Sequence, residues 1–196
     1  EIYMGDWSSD VCSSDLYIVG PLDPTDRFTY WPVRASRGGE MLAPGTPKDP
    51  IQIVDVRDLT VWMMKLVESR ATGYYNAISP PGHFTIGDII AASQQASSHA
   101  GTKVTWVNED FLGTQWKPEE LDLPPWSPVK GEYAGASLTA SKRAVDTGLK
   151  TRSMQDTVRD TLTWFKTLPE DRQKLRAGLD PQKEAETLKA WHARSA

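Results

Sequence analysis

Two periodicities alternate along this chain. Short apolar runs of strand length stand at 17–19 (YIV), 51–56 (IQIVDV) and 103–107 (KVTWV), and the stretches between them carry apolar residues at helical spacing. Within 57–70, Leu59, Trp62, Met63, Leu66 and Val67 fall at i, i+3, i+4, i+7 and i+8, which predicts one apolar helix face. Asp55 or Asp58 is placed to cap that helix. Residues 73–78 (GYYNAI) read as a further strand, Pro80-Pro81-Gly82 as a loop, and Thr85 as the cap of a helix bearing Ile86, Ile89 and Ile90. A short strand at 40–43 precedes the turn dipeptide Pro44-Gly45. Strand, helix, strand, helix, strand in succession predicts an α/β layer architecture.

The stretch 17–34 organises the rest. Its strand breaks at Gly20-Pro21, Asp23, Pro24 and Thr25 set up a turn, and a helix follows with Arg27, Phe28, Tyr30, Trp31 and Arg34. Gly38-Gly39 ends this helix, and Pro32 inside it predicts a kink or a late start. A strand running into a Gly-Pro loop and then an aromatic helix is a ligand-facing edge in an open α/β sheet. Further on, 111–132 holds Pro118, Pro124, Pro125 and Pro128 with Trp116 and Trp126 among them, which reads as a functional lid or as a surface loop pinned by its tryptophans. Ser153 and Asp156 open a helix whose face is Val158, Leu162 and Phe165. From 169 the chain is charged and ends in a helix from about Pro181, whose weak stripe, Ala185, Leu188 and His192, suits a peripheral or oligomer-facing position and leaves a homodimer open.

The first sixteen residues, EIYMGDWSSDVCSSDL, have no sustained period. Trp7–Leu16 is the translation of a widely used short-read sequencing adapter (TGG AGT TCA GAC GTG TGC TCT TCC GAT CT), and Gly5-Asp6 fits the bases just upstream. Residues 1–16 are therefore expected to be an artefact, or else a disordered tail, fused to an N-terminally truncated gene, and they stand outside the fold reasoning. About 180 residues remain, enough for one domain or part of one. With 22 basic against 26 acidic residues the chain lacks the basic excess of a nucleic-acid binder. No apolar run approaches the ~18 residues of a membrane span. The single cysteine, Cys12, lies in the excluded segment, so disulfide and thiol chemistry drop out and a soluble, cytoplasmic protein is expected.

The passages IVGP and DRFTYW at 18–31, IVDVRDL at 53–59, GYYNAISPPGHFTIGDII at 73–90, LDLPPWSP at 121–128 and TVRDTLTWF at 157–165 together resemble the C-terminal part of extended short-chain dehydrogenase/reductase-like proteins, the NAD-dependent epimerase/dehydratase family. The resemblance implies the C-terminal portion of a Rossmann-like, doubly wound sheet with a small substrate-binding subdomain at 17–168, followed by a helical extension at 169–196. It implies NAD or NADP as cofactor of the complete parent and a small-molecule substrate. Val19, Gly20 and Pro21 would lie beside the nicotinamide. Arg27, Tyr30 and Trp31 would line the substrate pocket, Arg57 would stand near the substrate, and Trp126 would belong to the lid. Packing in a core is the alternative for the three aromatics, and capping or ion pairing for the two arginines. Arg27 is the leading candidate, as an arginine on a buried edge beside Asp23 and Asp26.

Hydride-transferring enzymes of this type need a glycine-rich turn that lets pyrophosphate approach a helix N-terminus, and a tyrosine made acidic by a lysine four residues on. No G-x-G-x-x-G or G-x-x-G-x-x-G occurs, and none of the six tyrosines has lysine four residues later. His83, His99 and His192 show no metal-like spacing, and cap or strand-end roles account for Asp55 and Asp58. The expectation is a substrate-binding fragment of an NAD(P)-dependent epimerase, dehydratase or reductase, inactive by itself and binding no dinucleotide tightly. The alternatives are a non-catalytic dinucleotide-sensing or ligand-binding module of the same fold, and a complete small α/β domain.

Overall fold

A computed structural model describes residues 17–97, 101–117 and 123–194. The elements follow as β1 (Tyr17–Val19), α1 (Tyr30–Ser36), β2 (Glu40–Pro44), β3 (Pro50–Ile51), β4 (Ile53–Asp55), α2 (Val56–Glu68), β5 (Phe84–Thr85), α3 (Ile86–Ala96), β6 (Lys103–Val107), α4 (Glu109–Gln115), α5 (Lys142–Asp146), α6 (Met154–Thr167) and α7 (Pro181–Ala193). Among the described residues the strands pair in twos: β1 with β4 and β2 with β6 in parallel, β3 with β5 antiparallel. The class is α/β, as the alternation of periods predicts. Cys12, His99, Pro118 and Leu121 lie outside the described residues.

Helices α1, α3 and α6 pack on one another, and Trp31, Ala35, Ile89, Ile90 and Val158 join Met41, Leu42 and Ile53 of the strands in the main core. Pro32 is the third residue of α1, where its missing N–H is one of the first-turn donors that no helical carbonyl reaches, so the helix starts late and is not kinked there. The capping box expected from Thr85 is completed by Asp88, and Ser153 accepts from the Asp156 amide.

Three expectations are corrected. The run 51–56 is not one strand. It divides at Gln52, whose buried side chain bonds Ser79 and Thr139 (2.7–2.9 Å), so β3 and β4 join different sheets and Val56 already starts α2. Residues 73–78 form no strand, because Gly73 has φ +136°, Pro80 and Pro81 offer no N–H for a ladder, and the segment is held instead by the Ser79 amide on Ile53 and by Asn76 on Ala140. On α2 only Trp62 and Leu66 of the predicted stripe are buried, while Met63 is 40% and Val67 60% exposed.

Helix α7 docks through a face that hydropathy does not reveal. Glu184, Thr187 and Leu188 are buried, whereas Ala185 and His192 are exposed. The Glu184 carboxylate accepts Arg34 Nε at 2.7 Å and the Leu42 amide at 2.9 Å, and Arg34 also donates to the Gly38 and Glu40 carbonyls. Leu42 lies in β2, so this carboxylate occupies the strand edge that β6 leaves open. Trp116 Nε1 donates to Thr187 Oγ1, and His192 meets Glu40 at 2.9 Å. Replacing Glu184 by Ala strands a mostly covered guanidinium and a strand amide, which should cost about 3 kcal/mol in urea unfolding, whereas Glu186→Ala on the exposed face should stay within ~0.5 kcal/mol.

Candidate functional site

The C-terminal ends of β1 and β4 lie side by side, with Val19 registered against Asp55. Gly20 follows with φ +117°, a conformation that favours glycine, and a Cβ there would come within 3.3 Å of the Asp55 carboxylate, a tight approach. Asp55, 4% exposed, caps α2 by accepting the Arg57 amide at 2.9 Å. The same carboxylate accepts Arg57 Nε at 2.9 Å, Arg57 Nη2 at 2.7 Å and Thr157 Oγ1 of α6 at 2.9 Å. Arg57 reaches Asp160 at 2.6 Å, and Arg152 holds Asp58 at 2.8 Å while lying 3.6 Å from Asp55. Burial pushes the Asp55 carboxyl up, but the Arg57 and Thr157 hydrogen bonds more than offset it and leave the pKa below its ordinary value. Arg57 lowers Asp160 in the same way.

This cluster can present two partly exposed guanidiniums, Arg57 at 32% and Arg152 at 26%, at the strand ends. Asp55 is held ionised with its oxygens already hydrogen-bonded, so it is poorly placed to accept a proton from a ligand. Of the residues singled out in the sequence, Val19, Gly20 and Arg57 thus meet at Asp55, and Pro21 follows Gly20 in the loop. Arg152, Thr157 and Asp160 were not anticipated, because their links to Asp58, Asp55 and Arg57 respectively span about a hundred residues and leave no local signal.

The other candidates lie elsewhere. Arg27 is exposed, 5.9 Å above the Tyr17 ring, which corrects the expectation of a buried-edge arginine. The acids beside it are used locally: Asp23 takes the Thr25 amide and hydroxyl and the Thr29 hydroxyl, and Asp26 takes the Arg176 amide. Tyr30, 3% exposed, lies under Gly178, where a Cβ would overlap its ring, and burial raises its pKa. Trp31 is fully buried and donates to the Pro124 carbonyl at 2.8 Å, while Trp126, 1% exposed, donates to Asp49 at 2.9 Å. The two indoles fasten the Pro-rich loop to the body, so its described part is pinned and these aromatics sit in the core. His83 bonds Thr151 at the surface. A groove of about 570 Å³ runs between the end of α1 and α7, lined by Arg34, Arg37, Glu40, Lys189 and His192 among others, apart from the strand-end cluster.

No protein-family model matches the chain, and no curated protein sequence does so significantly. Solved structures do match. A GDP-L-fucose synthetase from Naegleria fowleri superimposes with a TM-score of 0.50 over 83% of this chain and 46% of its own, at 14% identity. The same synthetase bound to NADP gives 0.50 over 82% and 47%, at 13% identity. This chain carries part of a Rossmann-like α/β fold. It spans about half the length of the solved structures it matches.

The described residues do not fit a dinucleotide's pyrophosphate. Such a group sits on free amides at a helix N-terminus approached through a glycine-rich turn. Here the first turns of α2, α3, α4, α6 and α7 all carry a carboxylate, from Asp58, Asp88, Glu109, Asp156 and Glu184 respectively, and four of these helices have Ser, Thr or Asp side chains accepting their first amides. The start of α1 is taken up by buried Thr29 and Tyr30, and α5 has only five residues.

The low pKa of Asp55 links this cluster to stability. Because the folded value is depressed, its contribution is complete above the unfolded value of ~3.9 and is lost as pH falls through the folded one. Asp55→Asn should therefore lower stability at pH 7 and flatten the decline below about pH 5 that the unmodified chain shows in urea titrations. An unchanged acid limb would remove Asp55 as its source.

Proposed function

We propose that this chain is the substrate-side portion of an NAD(P)-dependent epimerase, dehydratase or reductase that acts on a carbonyl or alcohol carbon of a small molecule. The observation that carries the reading is the parallel β1–β4 pair with its Gly20-Pro21 loop beside Asp55 and Arg57, in a fold that superimposes on less than half of an NADP-bound synthetase. In this reading Val19, Gly20 and Pro21 border the cofactor's reactive end, Arg57 and Arg152 meet polar groups of the substrate, and the pyrophosphate is held by a segment beyond this chain. The proton-transferring tyrosine and lysine belong to that segment as well, since no tyrosine here has its lysine partner.

The chain of 196 residues alone should then bind no NADPH in a fluorescence titration and oxidise none in the presence of a panel of sugar and small-molecule carbonyls. Protein expressed from the source gene with its frame extended upstream of Tyr17 should do both. Binding without turnover by the longer protein would favour a dinucleotide-sensing module, and saturable NADPH binding by the 196-residue chain would overturn the division of labour.

A further inference from the structure

Helix α7 leaves a hollow where it meets the end of α1. The helix docks through Glu184, Thr187 and Leu188, and the flanking positions Ala185, Lys189 and His192 line a groove of about 570 Å³. Small residues stand on both sides of it: Ala185 on α7, and Gly38, with φ +73°, just past the end of α1. A groove of this size is within the ~300–1,000 Å³ range of small-molecule sites. Its apolar lining is aliphatic, from Leu179, Pro181, Ala185 and Leu188.

The charges around the groove do not cancel. Arg34 is paired with Glu184 at 2.7 Å, and Glu40 meets Lys103 at 3.1 Å and His192 at 2.9 Å. Arg37 and Lys189 remain. Both are exposed, and among the described residues neither side chain has a hydrogen bond or an ion pair. In a chain of formal net charge −4 they make a local excess of positive charge. Arg37 also complements the negative end of the α1 dipole, but that role needs no groove and gives Lys189 no task. A purely apolar occupant would leave both cations unused, and a bare inorganic anion would leave the aliphatic lining wet. The lining and the charges together call for one molecule with an apolar body and an anionic end.

We propose that this groove binds a small amphipathic carboxylate, with the carboxylate between Arg37 and Lys189 and the hydrocarbon part along Leu179, Ala185 and Leu188. The site lies at the far end of α1 from the loop that follows β1, about 10 Å along the axis of a seven-residue helix. It is therefore separate from the strand-end cluster and does not depend on the function proposed for that cluster.

Octanoate is the probe, and 1-octanol its uncharged counterpart. In ligand-observed NMR titrations of the 196-residue chain, octanoate should bind saturably. The ring-proton signal of His192 should shift along the same curve, while that of His83, bonded to Thr151 outside the groove, stays fixed. Arg37→Ala combined with Lys189→Ala should raise the Kd by ~10-fold or more, and so should exchanging octanoate for 1-octanol. Ala185→Phe, which fills the hollow without altering charge, should weaken binding at least as much. All three substituted side chains are exposed, so the urea midpoints of these variants should not move. Absence of saturable binding, a His192 signal that does not respond, equal binding of 1-octanol, or an octanoate affinity untouched by either variant would each overturn the proposal.

Discussion

The ends of the parallel strands depend on one buried carboxylate. Asp55 closes β4, caps α2, receives Thr157 from α6 and lies 3.3 Å from where a Cβ on residue 20 would stand, in the loop after β1. A buried charge of this kind is costly to desolvate and is retained only when its oxygens are satisfied, which Arg57 and Thr157 do. The consequence reaches into function. The position that an open α/β sheet normally offers to a ligand is bounded here by a carboxylate already engaged and by two guanidiniums with surface to spare, so this face is suited to orienting a polar ligand more than to exchanging protons with it.

A second buried carboxylate performs the matching task at the other sheet. Glu184 fills the open edge of β2 and carries α7 onto the body with it. In both places a polar group settles the packing between distant segments, and in both the partner lies a hundred residues or more away in the chain.

This explains what could be read from the sequence. Elements governed by local rules were legible: the α/β alternation, the caps at Asp55, Thr85 and Ser153, the Ile86/Ile89/Ile90 face, and Pro181 opening the last helix. Elements governed by distant hydrogen bonds were not. Gln52 splits a strand that composition makes continuous, and Ser79 and Asn76 fix 73–78 outside any ladder despite its tyrosines. Of the candidate site, Gly20 was marked by the Gly-Pro break that ends the first strand, and Arg57 only by the family resemblance. That Trp31 and Trp126 spend their N–H groups on pinning a loop, and that Arg27 is exposed, depends on tertiary placement that spacing does not encode. On α2 the pattern marked more apolar surface than the described residues bury.

The proposed account makes this chain one side of a two-part active site, with the phosphate-binding side encoded before Tyr17. A long sequencing read of the source DNA across the codons for Leu16 and Tyr17 tests this most directly. The account predicts that the frame continues upstream for roughly 150 residues, with a glycine-rich turn near its start and a Tyr-x-x-x-Lys shortly before Tyr17. A read that instead runs through the first sixteen residues from a genuine start signal would contradict it and leave a small α/β binding module.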